Sequence, residues 1–78
     1  MQSSYTSDLY LASALVADGF VLKQIDRAGD RATFVFVDHP DLAPAIARFY
    51  AGQLDVDARA LSDNVRALKR SLHAGVAR

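Results

Sequence analysis

A histidine flanked by carboxylates is the feature of this chain that comes closest to catalytic chemistry. His39 has Asp38 and Asp41 nearby, and an imidazole beside a carboxylate could act as a general base. Aspartate and proline around a histidine are also typical of a turn that leads into a helix. Asp26 and Asp30 flank a second turn, where aspartate is a common residue. We interpret both groups as turn structure, and the sequence predicts no catalytic residue.

The residue patterns on which most enzymes depend are absent from the sequence. It contains no cysteine, no glycine-rich phosphate loop, no G-x-S-x-G nucleophile motif and no H-E-x-x-H zinc motif. Two histidines without cysteine are also too few for a zinc site. We therefore expect a protein that is not an enzyme and that needs no metal or other cofactor.

Length and charge limit the number of domains and the class of partner. Seventy-eight residues leave room for one domain, which we expect to span residues 1–78 with an ordered core from about residue 5 to residue 73. The formal net charge is zero, so the protein has no general attraction to nucleic acid. No apolar run reaches the roughly 18 residues of a membrane span, and no basic leader is recognisable, so we expect a cytoplasmic protein without membrane contact.

A first helix must come before the β-rich part of the chain. It is predicted over about residues 7 to 18, with Thr6 or Ser7 as N-cap and Gly19 after its end. A helical projection assigns one face to the core, made of Leu9, Leu11, Ala12, Leu15 and Val16. The opposite face carries Tyr10, Ser13 and Ala17.

Two β-rich runs, Phe20 to Asp26 and Arg31 to Val37, predict an antiparallel hairpin. A three-residue loop ending in Gly29 as a left-handed bulge residue would join them. In that register Phe20 pairs with Phe36 and Leu22 with Phe34, so that these four side chains share the core face.

Prolines and capping aspartates place the remaining elements. Pro44 is tolerated only in the first turn of a helix, so a second helix begins near Asp41 and ends at Gly52. The alternation in Gln53 to Val56 favours a short third strand, and Asp57 then caps a last helix. That helix has the clearest periodicity in the chain, its apolar stripe being Leu61, Val65, Leu68 and Leu72. The predicted fold is α+β, in the order helix, β-hairpin, helix, C-terminal amphipathic helix, and the sequence leaves open whether the short strand precedes the last helix.

A resemblance to a known family is carried by four short patterns: Tyr5-Thr6-x-Asp8-Leu9-x-Leu11-Ala12, Leu15-x-x-x-Gly19, Phe34-x-Phe36 and Leu68-Lys69-Arg70. The chain resembles a family of short bacterial and phage proteins classed as a domain of unknown function. The resemblance covers about residues 5 to 72 and rests mostly on capping and core positions. It implies the same order of elements and an association with mobile genetic elements, and it implies no catalytic residue.

The last helix carries a first candidate surface for binding. Roughly opposite its apolar stripe lies a basic ridge made of Arg59, Arg66, Lys69, Arg70 and His73, with Lys69 just to one side of the other four. Arginine forks match phosphate oxygens, so the ridge could bind nucleic acid. Asp63 stands four residues from Arg59 and three from Arg66, close enough to neutralise part of this charge. We therefore favour the interpretation that the ridge is an ordinary solvated helix face and not a nucleic-acid-binding surface.

The hairpin face opposite the phenylalanines is the second candidate surface. It is predicted to carry Val21, Ile25, Val35 and Val37, with Lys23 and Thr33 beside them. Strands favour β-branched residues even when exposed, but this face is apolar enough for a protein interface. A second copy across a twofold axis would cover the valines and an open sheet edge together. The sequence therefore predicts a non-catalytic binding module, most simply a homodimer, and the alternative is a small nucleic-acid-binding protein.

Overall fold

The computed structural model describes residues 4–76, which form three helices and a three-stranded antiparallel sheet. In chain order the elements are β1 (Ser4–Thr6), α1 (Leu9–Ala17), β2 (Leu22–Ala28), β3 (Arg31–Phe36), α2 (Leu42–Tyr50) and α3 (Ala58–Val76). The predicted α+β class and the order of the helices and the hairpin are confirmed. None of the helices within residues 4–76 has the length and hydropathy of a membrane span.

The third strand lies at the start of the described chain and not where the sequence placed it. Gln53 to Val56 is irregular, so the strand predicted there is wrong. β1 pairs instead with β3, which makes β3 the central strand in the order β1-β3-β2. The physical reason is proximity, because α1 contacts β1 and so holds the residues that precede it beside the free edge of β3.

α1 is capped by an aspartate. The Asp8 carboxylate accepts hydrogen bonds from the backbone N–H groups of Tyr10 and Leu11, at 2.9 and 3.2 Å. Asp8, and not Thr6 or Ser7, is therefore the N-cap residue.

The middle of α1 is buried on every side. The helix contacts β1, α2 and α3, and all residues from Leu11 to Leu15 are buried. A helix enclosed in this way keeps no polar face, so the prediction that Ser13 faces away from the core is wrong. The Ser13 hydroxyl donates a hydrogen bond to the Leu9 carbonyl at 2.8 Å, which satisfies it inside the helix.

The hairpin turns through two residues and not through three. Ala28 pairs with Arg31, which leaves Gly29 and Asp30 as the turn. Gly29 has a φ of 63°, and Asp30 does not have a positive φ. A positive φ at the first central residue alone is the signature of a type II′ turn, which suits the twist of a hairpin. The three-residue loop and the register derived from it are therefore wrong.

β2 contains a bulge that reverses its alternation. Leu22 and Gln24 pair with consecutive residues of β3, so Lys23 is an extra residue without a partner. Beyond the bulge Ile25 pairs with Phe34 and packs against the core. Ile25 therefore lies on the core side of the sheet, and its predicted place on the opposite face is wrong.

The core lies between the inner face of the sheet and the helices. Its buried residues come from α1, β3, α2 and α3 and are Leu11, Ala12, Leu15, Phe34, Phe36, Leu42, Ala45 and Leu68. Phe34 and Phe36 are each 1% exposed, and Phe20 and Leu22 pack against the same cluster, so the predicted core side of the hairpin is confirmed.

The starts of α2 and α3 agree with the predicted caps. Asp41 is the N-cap residue of α2, and the Asp57 carboxylate accepts a hydrogen bond from the Ala60 backbone N–H at 2.9 Å at the start of α3. Near the other end of α3, the Arg27 guanidinium of β2 donates to the Leu72 carbonyl at 3.0 Å. This hydrogen bond joins the hairpin tip to α3.

Candidate binding surfaces

The side of the sheet that faces away from the core carries an apolar patch. We call it the outer sheet face and define it as Tyr5, Val21, Val35 and Val37. Val35 lies between two inward-facing phenylalanines on β3, so its side chain points outward. Tyr5 pairs with Val35 across β1 and β3, and the Val37 N–H donates to the Val21 carbonyl at 2.9 Å. The four residues are therefore neighbours on one surface.

The rim of this patch is open to solvent, while its centre is enclosed. Tyr5, Val21 and Val37 are 72%, 61% and 46% exposed. Val35 is only 9% exposed, because its neighbours Tyr5 and Gln24 stand on either side of it. The accessible apolar groups are thus the tyrosine and the two outer valines.

The edge of the sheet is less suited to pairing than its face. Within the described residues both β1 and β2 are edge strands: β1 has three residues, and β2 contains the bulge at Lys23 and the charged residues Asp26 and Arg27. Short edge strands, bulges and charges are the features by which natural sheets prevent edge-to-edge pairing. Contact with another protein is therefore better served by the outer sheet face.

The basic ridge of α3 is fully presented to solvent. Its members, Arg59, Arg66, Lys69, Arg70 and His73, are all exposed. Within residues 4–76 Asp63 forms no ion pair with Arg59 or Arg66, and the Arg66 guanidinium lies 3.4 Å from the Ser62 hydroxyl. The expected neutralisation by Asp63 thus involves no direct contact, and the arginine charges remain available.

A groove of about 340 Å³ lies between α1 and α3. We call it the α1/α3 groove. Tyr10 lines it from α1, and the residues that line it from α3 are Ala58, Leu61, Ser62, Val65, Arg66 and Lys69. Leu61 and Val65 are half-buried and lie outside the core cluster, although they belong to the same apolar stripe as Leu68. The groove therefore combines apolar side chains of α3 with two members of the basic ridge.

His39 has a structural role in the turn before α2. Its Nδ1 accepts a hydrogen bond from the Asp41 backbone N–H at 3.0 Å, and its ring meets Phe20 edge-on at 5.4 Å between centroids. The Asp41 carboxylate makes no capping bond and stands 3.9 Å from the same Nδ1. The histidine nitrogen thus satisfies an N–H at the start of α2, which is the work of a capping group.

Tyr50 lies at the end of α2 and makes a hydrogen bond to a carboxylate. The Tyr50 hydroxyl donates to the Asp8 carboxylate at 3.3 Å and joins the end of α2 to the start of α1. Desolvation, followed by the negative charge of Asp8, raises the pKa of the Tyr50 hydroxyl above its ordinary value.

In the part of the chain from residue 4 to residue 76, no three side chains with metal-binding atoms come together.

Comparison with known proteins identifies a family. The model of DUF5659, described as a domain of unknown function, matches residues 1–74. The chain belongs to this family. The resemblance to a family classed as a domain of unknown function is thereby confirmed, whereas no curated protein and no solved structure matches the chain.

Three of the four residues predicted for the apolar interface lie on the outer sheet face of this DUF5659 protein. They are Val21, Val35 and Val37, whereas the bulge turns Ile25 toward the core. Tyr5 was missed because three residues of strand give no alternating pattern to detect. The α1/α3 groove was also missed, since it depends on the contact between two helices.

Proposed function

We propose that this DUF5659 protein is a non-catalytic protein-binding module that forms a homodimer through its outer sheet face. The observation that supports the proposal is the exposure of Tyr5, Val21 and Val37 on the uncovered side of a sheet whose other side is the core. Contiguous exposed apolar groups on a small domain mark an interaction surface.

A second copy is the partner that this surface fits. Twofold contacts bring the same patch of each copy together, so the patch must be compatible with itself. The four residues of the outer sheet face carry no ionisable charge at neutral pH, and like charges therefore do not meet at the centre of such a contact. Two sheets pack face to face at about 10 Å, which allows the valines and tyrosines of both copies to interdigitate.

The size of the chain gives a further reason for association. Below about 70 to 80 residues, one core rarely supplies more than about 3–5 kcal/mol of stability. Burying the outer sheet face removes further apolar surface from water, at roughly 25 cal/mol for each Å². Because the partner of a homodimer stabilises the folded state, the free energy of unfolding should rise with protein concentration.

Sedimentation of charge variants tests the dimer. We expect the wild type to sediment at about twice the chain mass of 8.5 kDa at micromolar concentration. The double variant Val21→Lys/Val37→Lys should sediment as a monomer with an unchanged circular dichroism spectrum, because both side chains are exposed in the monomer. The matched control Ala43→Lys/Ala47→Lys adds the same charge to the exposed side of α2 and should remain a dimer.

Two results would overturn this proposal. One is a wild type that stays at 8.5 kDa throughout the micromolar range. The other is a Val21→Lys/Val37→Lys variant that dimerises as well as the wild type, since the contact would then lie elsewhere.

Nucleic-acid binding is a second candidate function, favoured by the absence of any ion pair between Asp63 and the ridge arginines within the described residues. Labelled duplex DNA added to the same samples tests it. Affinity should fall with salt at a slope of about 0.9 for each phosphate contacted, and replacing Arg59, Arg66 and Arg70 by Gln should reduce the slope by about two to three units. Binding that is absent or indifferent to salt would reject this candidate.

A further inference from the structure

The two halves of the apolar stripe of α3 lie in different surroundings. Its four members recur with one periodicity along one side of the helix. Leu68 is buried and Leu72 packs against the core, whereas Leu61 and Val65 lie outside that cluster and line the α1/α3 groove. An amphipathic helix is stabilised by covering its apolar side, so a partner in the groove would cover the part of Leu61 and Val65 that the chain leaves accessible.

The opposite wall of the groove comes from α1. Tyr10 lies on a helix whose middle is buried, yet its side chain is 55% exposed and lines the groove. The Asn64 amide of α3 donates to the Ser13 carbonyl of α1 at 3.3 Å, beside the groove. This hydrogen bond and the packing of the two helices fix the position of α1 relative to α3, so the groove is already formed in the unbound protein.

The ionisable groups that line the groove from α3 have one sign of charge. Arg66 and Lys69 are both basic and exposed, and no carboxylate lines the groove. A ligand with apolar side chains flanked by carboxylates is therefore complementary to it. A second copy of α3 is not complementary to the groove, because it would place arginines against Arg66 and Lys69.

We propose that the α1/α3 groove binds an acidic amphipathic helix of a second protein. Helices bound in grooves insert apolar anchors spaced three or four residues apart, which matches the aliphatic lining of Leu61 and Val65. Single-stranded nucleic acid is the poorer fit, because it needs several aromatic side chains for its bases and this groove has Tyr10 alone. A volume of about 340 Å³ holds a few anchor side chains, near the lower limit of about 300 Å³ for ligand pockets. This surface is separate from the outer sheet face and does not depend on dimerisation.

Fluorescence anisotropy with designed peptides tests the proposal. The first probe is a helical peptide with leucine at three- and four-residue spacings and glutamate beside the leucines. The second probe has lysine in place of each glutamate, and the third has serine in place of each leucine. We expect the first peptide to bind at least about tenfold more tightly than either of the others, because both charge and apolar anchors are required.

Charge reversal in the groove gives the sharper result. The variant Arg66→Glu/Lys69→Glu changes two exposed residues, so it should fold, and it should prefer the lysine peptide to the glutamate peptide. The matched control Arg59→Glu/Arg70→Glu makes the same change on the ridge outside the groove and should keep the wild-type preference. The variant Val65→Asp should lose the glutamate peptide if it folds.

Amide shifts in a heteronuclear NMR spectrum locate the bound peptide. They should appear at Tyr10, Leu61 and Val65 and not at Val21 and Val37, and the Val21→Lys/Val37→Lys variant should bind the peptide as the wild type does. A result that contradicts the dimer can thus be distinguished from a result that contradicts peptide binding in the groove. Equal binding of the first two peptides, shifts confined to the outer sheet face, or tighter binding of an oligothymidine strand than of the glutamate peptide would each overturn the proposal.

Discussion

The two faces of the sheet are built from the same strands but differ in what they contribute. On the inner face Phe34 and Phe36 are 1% exposed, whereas Val37, the next residue on the outer sheet face, is 46% exposed. Because successive side chains of a strand point to opposite faces, one step along the chain separates a residue that stabilises the fold from one that is free to meet a partner. Substitutions on the inner face should therefore change the stability of the fold, whereas substitutions on the outer sheet face should change association.

Truncation of one residue on each face gives the largest expected difference. Phe36→Ala should lower the free energy of unfolding by about 3–5 kcal/mol, because it leaves a cavity in the only core of the described chain. Val37→Ala should change it by less than about 0.5 kcal/mol. Urea denaturation below the association range measures both. A Phe36→Ala variant that unfolds at the same urea concentration as the parent would show that the stability of the core does not depend on this ring.

The bulge at Lys23 allows the same comparison within β2. Ile25→Asp should destabilise the monomer by about 1–3 kcal/mol, because the reversed alternation directs the side chain to the core. Val21→Asp introduces the same carboxylate on the exposed outer sheet face and should cost less than about 0.5 kcal/mol. Equal costs for the two variants, again by urea denaturation, would contradict the change of face at the bulge.

Features with a strong local signal could be predicted from the sequence. The side-chain cap at Asp57, the position of Asp41 at the start of α2 and the inward side of Phe34 and Phe36 follow from residue type and short spacing alone. Ser13 could not be predicted, because a projection assumes one covered side and α1 has several. Capping and alternation are local properties, while enclosure of a helix depends on the whole fold.

The candidate surfaces, too, could be predicted only where a local sequence pattern defines them. The basic ridge could be predicted, since it follows from the periodicity of one helix. The exact membership of the outer sheet face could not, because one extra residue at Lys23 reverses the direction of Ile25 and a strand of three residues brings in Tyr5. The α1/α3 groove requires Tyr10 and the first half of α3 to line one surface, which no local pattern in the sequence indicates.

The hairpin turn gives the smallest expected effect and tests the register on which both faces depend. Gly29 has a φ of 63°, and a Cβ added there would meet no atom within 4 Å, so a side chain at this position is opposed only by the backbone conformation. Gly29→Ala should therefore cost about 1–2 kcal/mol in urea denaturation. A synthetic chain with D-alanine at position 29 is the matched control, because it has the same atoms and prefers positive φ. It should be at least as stable as the wild type, and equal destabilisation by both alanines would contradict the two-residue turn and the pairing of Ala28 with Arg31.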